Sequence, residues 1–437
     1  MKRILGAADR ISNLPSNIID DILVRLPIHD AVRTSILSRK WRYKWLTLPQ
    51  LVFEDSFSEQ MTKELGVLSE EKLLAAVYQA LLLHKGPIVK FSLAVPEFES
   101  CSSVDHWIHF LSYHEIQEFS LSFSTGSAHV LPYHIFYFLQ LRHLKLRLCQ
   151  FKPPPAFGGF SRLISLEFIC MDFEAGQFGT LISNSPLLEQ LRVFDGSTFN
   201  HLEISAPNLK IFLFRGVFES ISFKNTPVLA VVSIALNRAV NQRPGRCSKP
   251  MKLADSLPAL EKLYVGYNFL KHLVQLLRAG DSVAGPLGRP LEHLKVLRVW
   301  KMHMEDRQGM LDALHLIKNS PNLQKLIIVI EPSRVAVVEN LVGQDFSACC
   351  LKRLEEVELH FISGIGSEVE LIKLVLANAP GLKKMKIIPS ENLLSHARGL
   401  EILKKLIQFP RASPKAEIKY SDSKSSRMRY KENNGYL

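Results

Sequence analysis

The chain has 437 residues, of which 47% are hydrophobic and 22% charged, and carries a formal net charge of +12. That composition excludes a disordered or fibrous chain, and the length exceeds what one compact core holds, so several domains or a repeat array are expected. The positive residues are spread along the sequence without zinc-finger spacing or an RNP-like aromatic motif, so the charge alone is a weak cue for nucleic acid.

The opening, MKRILGAADRIS, lacks the apolar run of a secretory signal. Later apolar runs such as Leu326 to Ile330 are strand-sized and too short to cross a bilayer. Cys101, Cys149, Cys170, Cys247, Cys349 and Cys350 form no CxxC pair and no zinc-type cluster, and read as buried reduced thiols. The expectation is a cytoplasmic or nuclear protein with no membrane contact, no metal and no cofactor.

Residues 9 to 54 read as three short helices. Leu14-Pro15 opens the first, because proline suits a first helical turn where its missing N–H has no partner anyway. Ile18, Ile22, Leu23 and Leu26 recur at helical spacing, and Leu26-Pro27 ends the element. Asp30 is the expected N-cap of the second helix, which carries Ala31, Val32 and Ile36. The third runs through Leu37, Trp41 and Trp45, four residues apart and so on one helical face. So small a unit cannot bury this much apolar surface alone, and a partner is implied.

In Leu14, Pro15, Ile18, Ile22, Leu26, Pro27, Val32, Ser35, Leu37, Ser38, Lys40, Trp41 and Trp45 the segment resembles an F-box. The resemblance implies docking of these residues onto the Skp-type adaptor of a cullin–RING ubiquitin ligase.

A second pattern fills the middle of the chain: apolar-x-x-apolar-x-apolar. It occurs at Leu48/Leu51/Phe53, Ile88/Phe91/Leu93, Ile116/Phe119/Leu121, Leu141/Leu144/Leu146, Leu163/Leu166/Phe168 and Leu188/Leu191/Val193. It continues at Leu209/Phe212/Phe214, Leu229/Val232/Ile234, Leu260/Leu263/Val265, Leu294/Leu297/Val299, Leu323/Leu326/Ile328, Leu354/Val357/Leu359 and Leu382/Met385/Ile387. Each unit predicts a period-two strand, then a loop and often a helix; one unit cannot cover its own apolar face, whereas stacking on neighbours does. The spacing resembles irregular leucine-rich repeats, with Cys149 and Asn268 where that motif places a buried Cys or Asn to satisfy backbone groups. Gly- and Pro-rich inserts at 242–258 and 279–290 are expected to bulge outside the array.

Residues 354–390 predict strand, turn, helix and strand, with Val369, Ile372, Leu374 and Val375 as the packed face of the helix. Together with FPRASPKAEI near the end, this stretch resembles the FBD domain of plant F-box proteins and supplies the terminal cap a repeat array needs. Beyond Tyr420 the Ser-, Lys- and Arg-rich tail is expected to be disordered. The expected class is therefore α/β: a three-helix F-box over 8–50, a curved leucine-rich-repeat solenoid with a parallel inner sheet over 51–349, an FBD cap over 350–420 and a tail over 421–437.

No P-loop, GxSxG, HExxH or kinase set is present, and no histidine pair has ligand spacing. The expectation is a non-catalytic subunit. The resemblance along nearly the whole chain implies the substrate-recognition subunit of an SCF-type ligase, in which the F-box holds the adaptor and the repeats hold a protein target. Two other readings stand beside it: a repeat scaffold without a ligase role, and a basic scaffold associated with nucleic acid. If strand side chains alternate faces, Arg192, Phe194, Arg215, Lys262, Tyr264, Arg298, Trp300 and Lys325 point away from the core and form the candidate target surface.

Overall fold

A computed structural model describes residues 10–54, 57, 70–95, 103–173, 176–238, 256–278, 290–331, 351–364, 366–390, 404, 406 and 408–420. The inserts at 242–258 and 279–290, but for residues 256–258 and 290, and the tail after Tyr420 lie outside the described residues, as do Cys101, Cys247, Cys349 and Cys350. Two compact units emerge, Met1–Leu188 with Phe194–Ser197, and Glu189–Val193 with Thr198–Leu437.

All of the predicted triplets lie on strands or lead into them, and every one of their apolar residues is buried. In the first unit the strands Gln50–Phe53, Lys90–Val95, Glu118–Phe123, His143–Arg147 and Ser165–Ile169 pair in chain order, all parallel. In the second, Ile211–Gly216, Val231–Leu236, Lys262–Gly266, Val296–Met302, Lys325–Ile330, Glu356–Ile362, Lys384–Pro389 and Glu417–Tyr420 do the same. Like residues of successive triplets stand side by side: Leu263 pairs with Leu297, and Leu326 with Val357. Each buried side chain of this size contributes about 1.5–3 kcal/mol, so the repeated phase itself stabilises the ladder.

Helices return the chain between several strands, among them Ser103–Leu111, Tyr267–Arg278, Arg307–Lys318 and Gly366–Asn378. Elsewhere the return is made by short strands, such as the parallel pair Phe199–Ser205 and Phe218–Lys224. Asn268 performs the expected service, its Nδ2 donating to the Leu236 carbonyl at 3.2 Å. Cys149 is fully buried, with Sγ 3.4 Å from the Arg147 carbonyl.

Five ladder strands share a feature no glycine announces. Leu148, Cys170, Asp195, Lys301 and Phe361 have φ of 56°, 51°, 53°, 56° and 63°, each two residues after the third apolar position. The left-handed step costs a non-glycine residue roughly 1–2 kcal/mol. It turns the following side chain back inward, and Cys149, Met171, Met302 and Ile362 are buried there. The register shifts at two of these places, between Val299 and Met302 and between His360 and Ile362.

Two local expectations are corrected. The helix Gly366–Asn378 buries Leu371, Ile372, Val375 and Leu376, while Val369 and Leu374 are half-exposed. Glu417–Tyr420, within the FPRASPKAEI stretch and its continuation, is a ladder strand that the triplet pattern does not reach.

Candidate functional site

Two surfaces carry the residues singled out by sequence. The first is built on the N-terminal helices. Ser16–Val24 forms a helix with Pro15 at its N-cap, and Ile28–Arg33 a second with Pro27 in that place. Asp30 therefore lies in the first turn rather than at the cap, because Leu26-Pro27 both ends one helix and begins the next. The third segment is helical only as short 3₁₀ pieces, Thr34–Ile36 and Lys44–Thr47, joined by turns. Leu37, Trp41 and Trp45 accordingly do not share one exposure: Leu37 is exposed, Trp41 buried and Trp45 half-buried.

The first helix has two apolar edges. Ile19 and Leu23, four residues apart, are fully buried, and Ile18 and Ile22, also four apart, look outward, Ile18 being 39% exposed. Val32 and Leu37 are exposed as well, and Ile36, read from sequence as a helix-packing residue, is 88% exposed. Leu14 and Leu26 are half-buried, and Pro15 and Pro27 exposed. Ser35 and Ser38 are partly covered, with hydroxyl oxygens that have no hydrogen-bond partner among the described residues.

Behind this face lies a small core of Ile19, Leu23, Ile28, Ala31, Trp41 and Leu46. Trp41 is only 2% exposed, and its Nε1 donates to the Ile11 carbonyl at 3.1 Å. Lys40 Nζ donates to the Leu14 carbonyl and Lys44 Nζ to Asp20 at 2.9 Å, so the third segment is tied to the first along its length.

The second surface is the outward side of the ladder in the second unit. Successive outward rows read Lys262, Val296, Lys325, Glu356 and then Ser233, Tyr264, Arg298, Ile327, Glu358. Tyr264 and Arg298 are direct register partners, as are Gly266 and Trp300. The guanidinium carbon of Arg298 sits 5.2 Å from the Trp300 ring centroid, within cation–π range. A methyl group built on Gly266 would come 3.0 Å from Trp300 Nε1 and 3.2 Å from the Ala235 Cα, so the bare glycine is what admits the indole edge. Ala235 in turn pairs with Arg215 on the next strand. Burial raises the Tyr264 phenol above its ordinary value, although Arg298 and Lys325 pull the other way.

Lys325 is held in place by Glu356 at 3.1 Å and Glu358 at 2.7 Å. Glu358 also meets His360 at 3.3 Å; the bond to His360, against the effect of burial and aided by Lys325, brings its carboxyl down to about 2. Lys262 is exposed, and Arg192 and Arg215 half-buried. Phe194 is the exception: at 4% exposure it is core, and the expectation that it lies on the exposed surface is withdrawn. The half-buried Glu358 and His360 and the Gly266 floor escaped the sequence reading, although the register of the triplets points to all three.

Among the described residues no group of three or more His, Cys, Asp or Glu side chains is placed to hold a metal, and no helix is long and apolar enough to cross a membrane.

Comparison with known proteins bears on both surfaces. Residues 11–53 match the F-box domain, 104–328 match the LRR repeats described for the FBD-associated F-box protein At5g56370, and 347–387 match FBD. Over 420 residues the chain is 36% identical to the F-box/FBD/LRR-repeat protein At1g13570 of Arabidopsis thaliana, covering 94% of this chain and 98% of that one. It is 25% identical to the putative F-box/FBD/LRR-repeat protein At2g05300 (94% and 96% covered) and 26% identical to the F-box/FBD/LRR-repeat protein At3g52680 (95% and 94%), both of the same plant.

Proposed function

The chain belongs to the F-box/FBD/LRR-repeat family, and we propose that it is the non-catalytic substrate-recognition subunit of an SCF-type ubiquitin ligase. The F-box would dock the Skp-type adaptor, and through it the cullin–RING module. The ladder face would hold a protein target, raising its effective concentration near the ubiquitin thioester carried by a separate conjugating enzyme.

One observation supports the docking step above the rest. A helix that has already buried Ile19 and Leu23 still presents Ile18 and Ile22 on a second edge, with exposed Val32, Ile36 and Leu37 besides. A group of exposed apolar side chains on neighbouring elements, unlike a single one, marks a surface that a partner covers. The adaptor surface proposed is accordingly Leu14, Pro15, Ile18, Ile22, Leu26, Pro27, Val32, Ser35, Leu37, Ser38, Lys40 and Trp45, with Trp41 supporting it from within.

Co-precipitation of the full chain with purified Skp-type adaptor and cullin tests this. Wild type should capture both, and the Ile18→Asp/Ile22→Asp double variant neither. Equal capture by the double variant, or no capture by wild type, overturns the assignment.

A further inference from the structure

The second-unit ladder face has a local electrostatic character that the whole-chain charge does not convey. On the four strands Ile211–Gly216, Val231–Leu236, Lys262–Gly266 and Val296–Met302, the outward register positions include Arg215, Lys262 and Arg298, and none of them is acidic. The acids begin two strands further on with Glu356 and Glu358, and both are engaged by Lys325. The cationic stretch is therefore bounded on that side. Four strands at about 4.8 Å spacing give a run of about 14 Å, the length of four or five extended residues at about 3.3 Å each.

The floor of this stretch is shaped as well as charged. Between Arg215 and Trp300 stand only Ala235 and Gly266, so two bulky side chains flank two of the smallest. Trp300 leans over Gly266, and the Arg298 guanidinium lies over its ring. The cation–π contact restrains the guanidinium, whose planar fork suits bidentate hydrogen bonding to a carboxylate or phosphate. Tyr264, directly beside Arg298, offers a phenolic O–H as a hydrogen-bond donor.

We propose that Arg215, Lys262, Tyr264, Arg298 and Trp300 form a recognition site for a short acidic protein segment, four or five residues long, that carries an apolar or aromatic side chain beside its carboxylate or phosphate groups. The inference rests on reading the chain as a target receptor and adds the chemistry of what it receives. A nucleic-acid strand is the poorer fit, since its evenly charged backbone would run from the cationic stretch onto Glu356 and Glu358, whereas a short segment ends before them.

The test uses the full chain, with purified Skp-type adaptor added to parallel samples, and three fluorescent probes: a twelve-residue Asp/Glu-rich peptide with one central Phe, the same peptide with its acids as Asn and Gln, and a single-stranded oligonucleotide. A fourth probe, the acidic peptide with phosphoserine in place of two acids, separates carboxylate from phosphate preference. The acidic or phosphorylated peptide should bind, the neutral one at least tenfold more weakly. Arg298→Ala/Trp300→Ala should weaken the acidic peptide at least tenfold, and Gly266→Ala, which crowds the indole without removing charge, should weaken it measurably. Adaptor co-precipitation on the same samples reports the F-box separately: its loss in wild type overturns the ligase reading and leaves the peptide result standing. Acidic-peptide binding unchanged in the double variant, no preference for the acidic over the neutral peptide, or tighter binding of the oligonucleotide than of either acidic peptide, overturns the proposed site.

Discussion

The indole nitrogen of Trp41 donates to the backbone carbonyl of Ile11 at 3.1 Å, closing the third F-box segment onto the residues that precede the first helix. This places Trp41 inside the small domain that presents the docking surface. Replacing Trp41 with Ala should destabilise the F-box by about 3–5 kcal/mol, the range for removing a large buried aromatic. Ile18→Asp should leave its stability within about 1 kcal/mol, as surface changes do. Hydrogen exchange over residues 16–47 should rise in the first variant and stay unchanged in the second, with adaptor capture lost in both. Intact exchange protection in Trp41→Ala would show that the indole is dispensable to the fold.

Gly309, in the first turn of the helix Arg307–Lys318, lies against the ring of Tyr267. An added Cβ would overlap the Tyr267 hydroxyl and ring edge, so Gly309→Ala should cost about 1–3 kcal/mol, the range for overpacking. Combining it with Tyr267→Phe should recover only part of the loss, because two of the overlapped atoms belong to the ring itself. Urea denaturation of the single and double variants measures both; a neutral single variant would mean the ring can move aside freely.

Acid should act through the same place. Burial alone would raise the Asp306 carboxyl, but the Lys271 ammonium at 2.8 Å, the Tyr267 hydroxyl and the Gly309 N–H at 3.2 Å outweigh it and hold the group at about 2. An unfolded aspartate titrates near 3.9, so between these values the unfolded chain binds more protons than the folded one. The contribution of Asp306 is therefore complete above about pH 4 and is lost as pH falls through 2. Glu358 acts in the same direction, so Asp306→Asn should flatten the acid limb without abolishing it. Denaturant midpoints from pH 6 to pH 2 give the comparison, and superimposable acid limbs would contradict it.

Burial also drives the Cys149 thiol far above its ordinary range, outweighing the contact with the Arg147 carbonyl. Thiolate is the reactive form, so Cys149 should resist iodoacetamide in the native chain and react fully in guanidinium. Half-buried Cys170 should be modified earlier, as site-resolved mass spectrometry would show. Native labelling of Cys149 at the rate of Cys170 would indicate local opening.

The ladder was legible because its signal is repeated. Each triplet places two apolar residues two positions apart in the strand, a period-two mark that survives the uneven spacing between units. The return pair Phe199–Ser205 and Phe218–Lys224 carries no such repeat and so has no comparable mark in the sequence. In the third F-box segment spacing of four predicts a shared face only if the backbone is α-helical, and turns through Arg39–Tyr43 break that condition. Phe194 shows the same limit at the ladder face. Strict alternation along the ladder strand Gln190–Phe194 sends it outward, yet the left-handed Asp195 follows immediately and the strand ends with Phe194 covered. The Asp195-Gly196 pair marks a turn there, but not that the residue before it is covered.

Within each unit the ladder neighbour of a strand is the next triplet along the chain, never a distant one. A nascent chain therefore meets each pairing partner as soon as the following triplet has left the ribosome, with no wait for the C-terminus. Growth in the order of translation keeps only the newest edge exposed, which limits the time an unpaired parallel strand is open to aggregation. It also sets which truncations are tolerated. Removing Glu417–Tyr420 takes away one terminal rung, whereas deleting an internal triplet leaves two strangers to form an edge together.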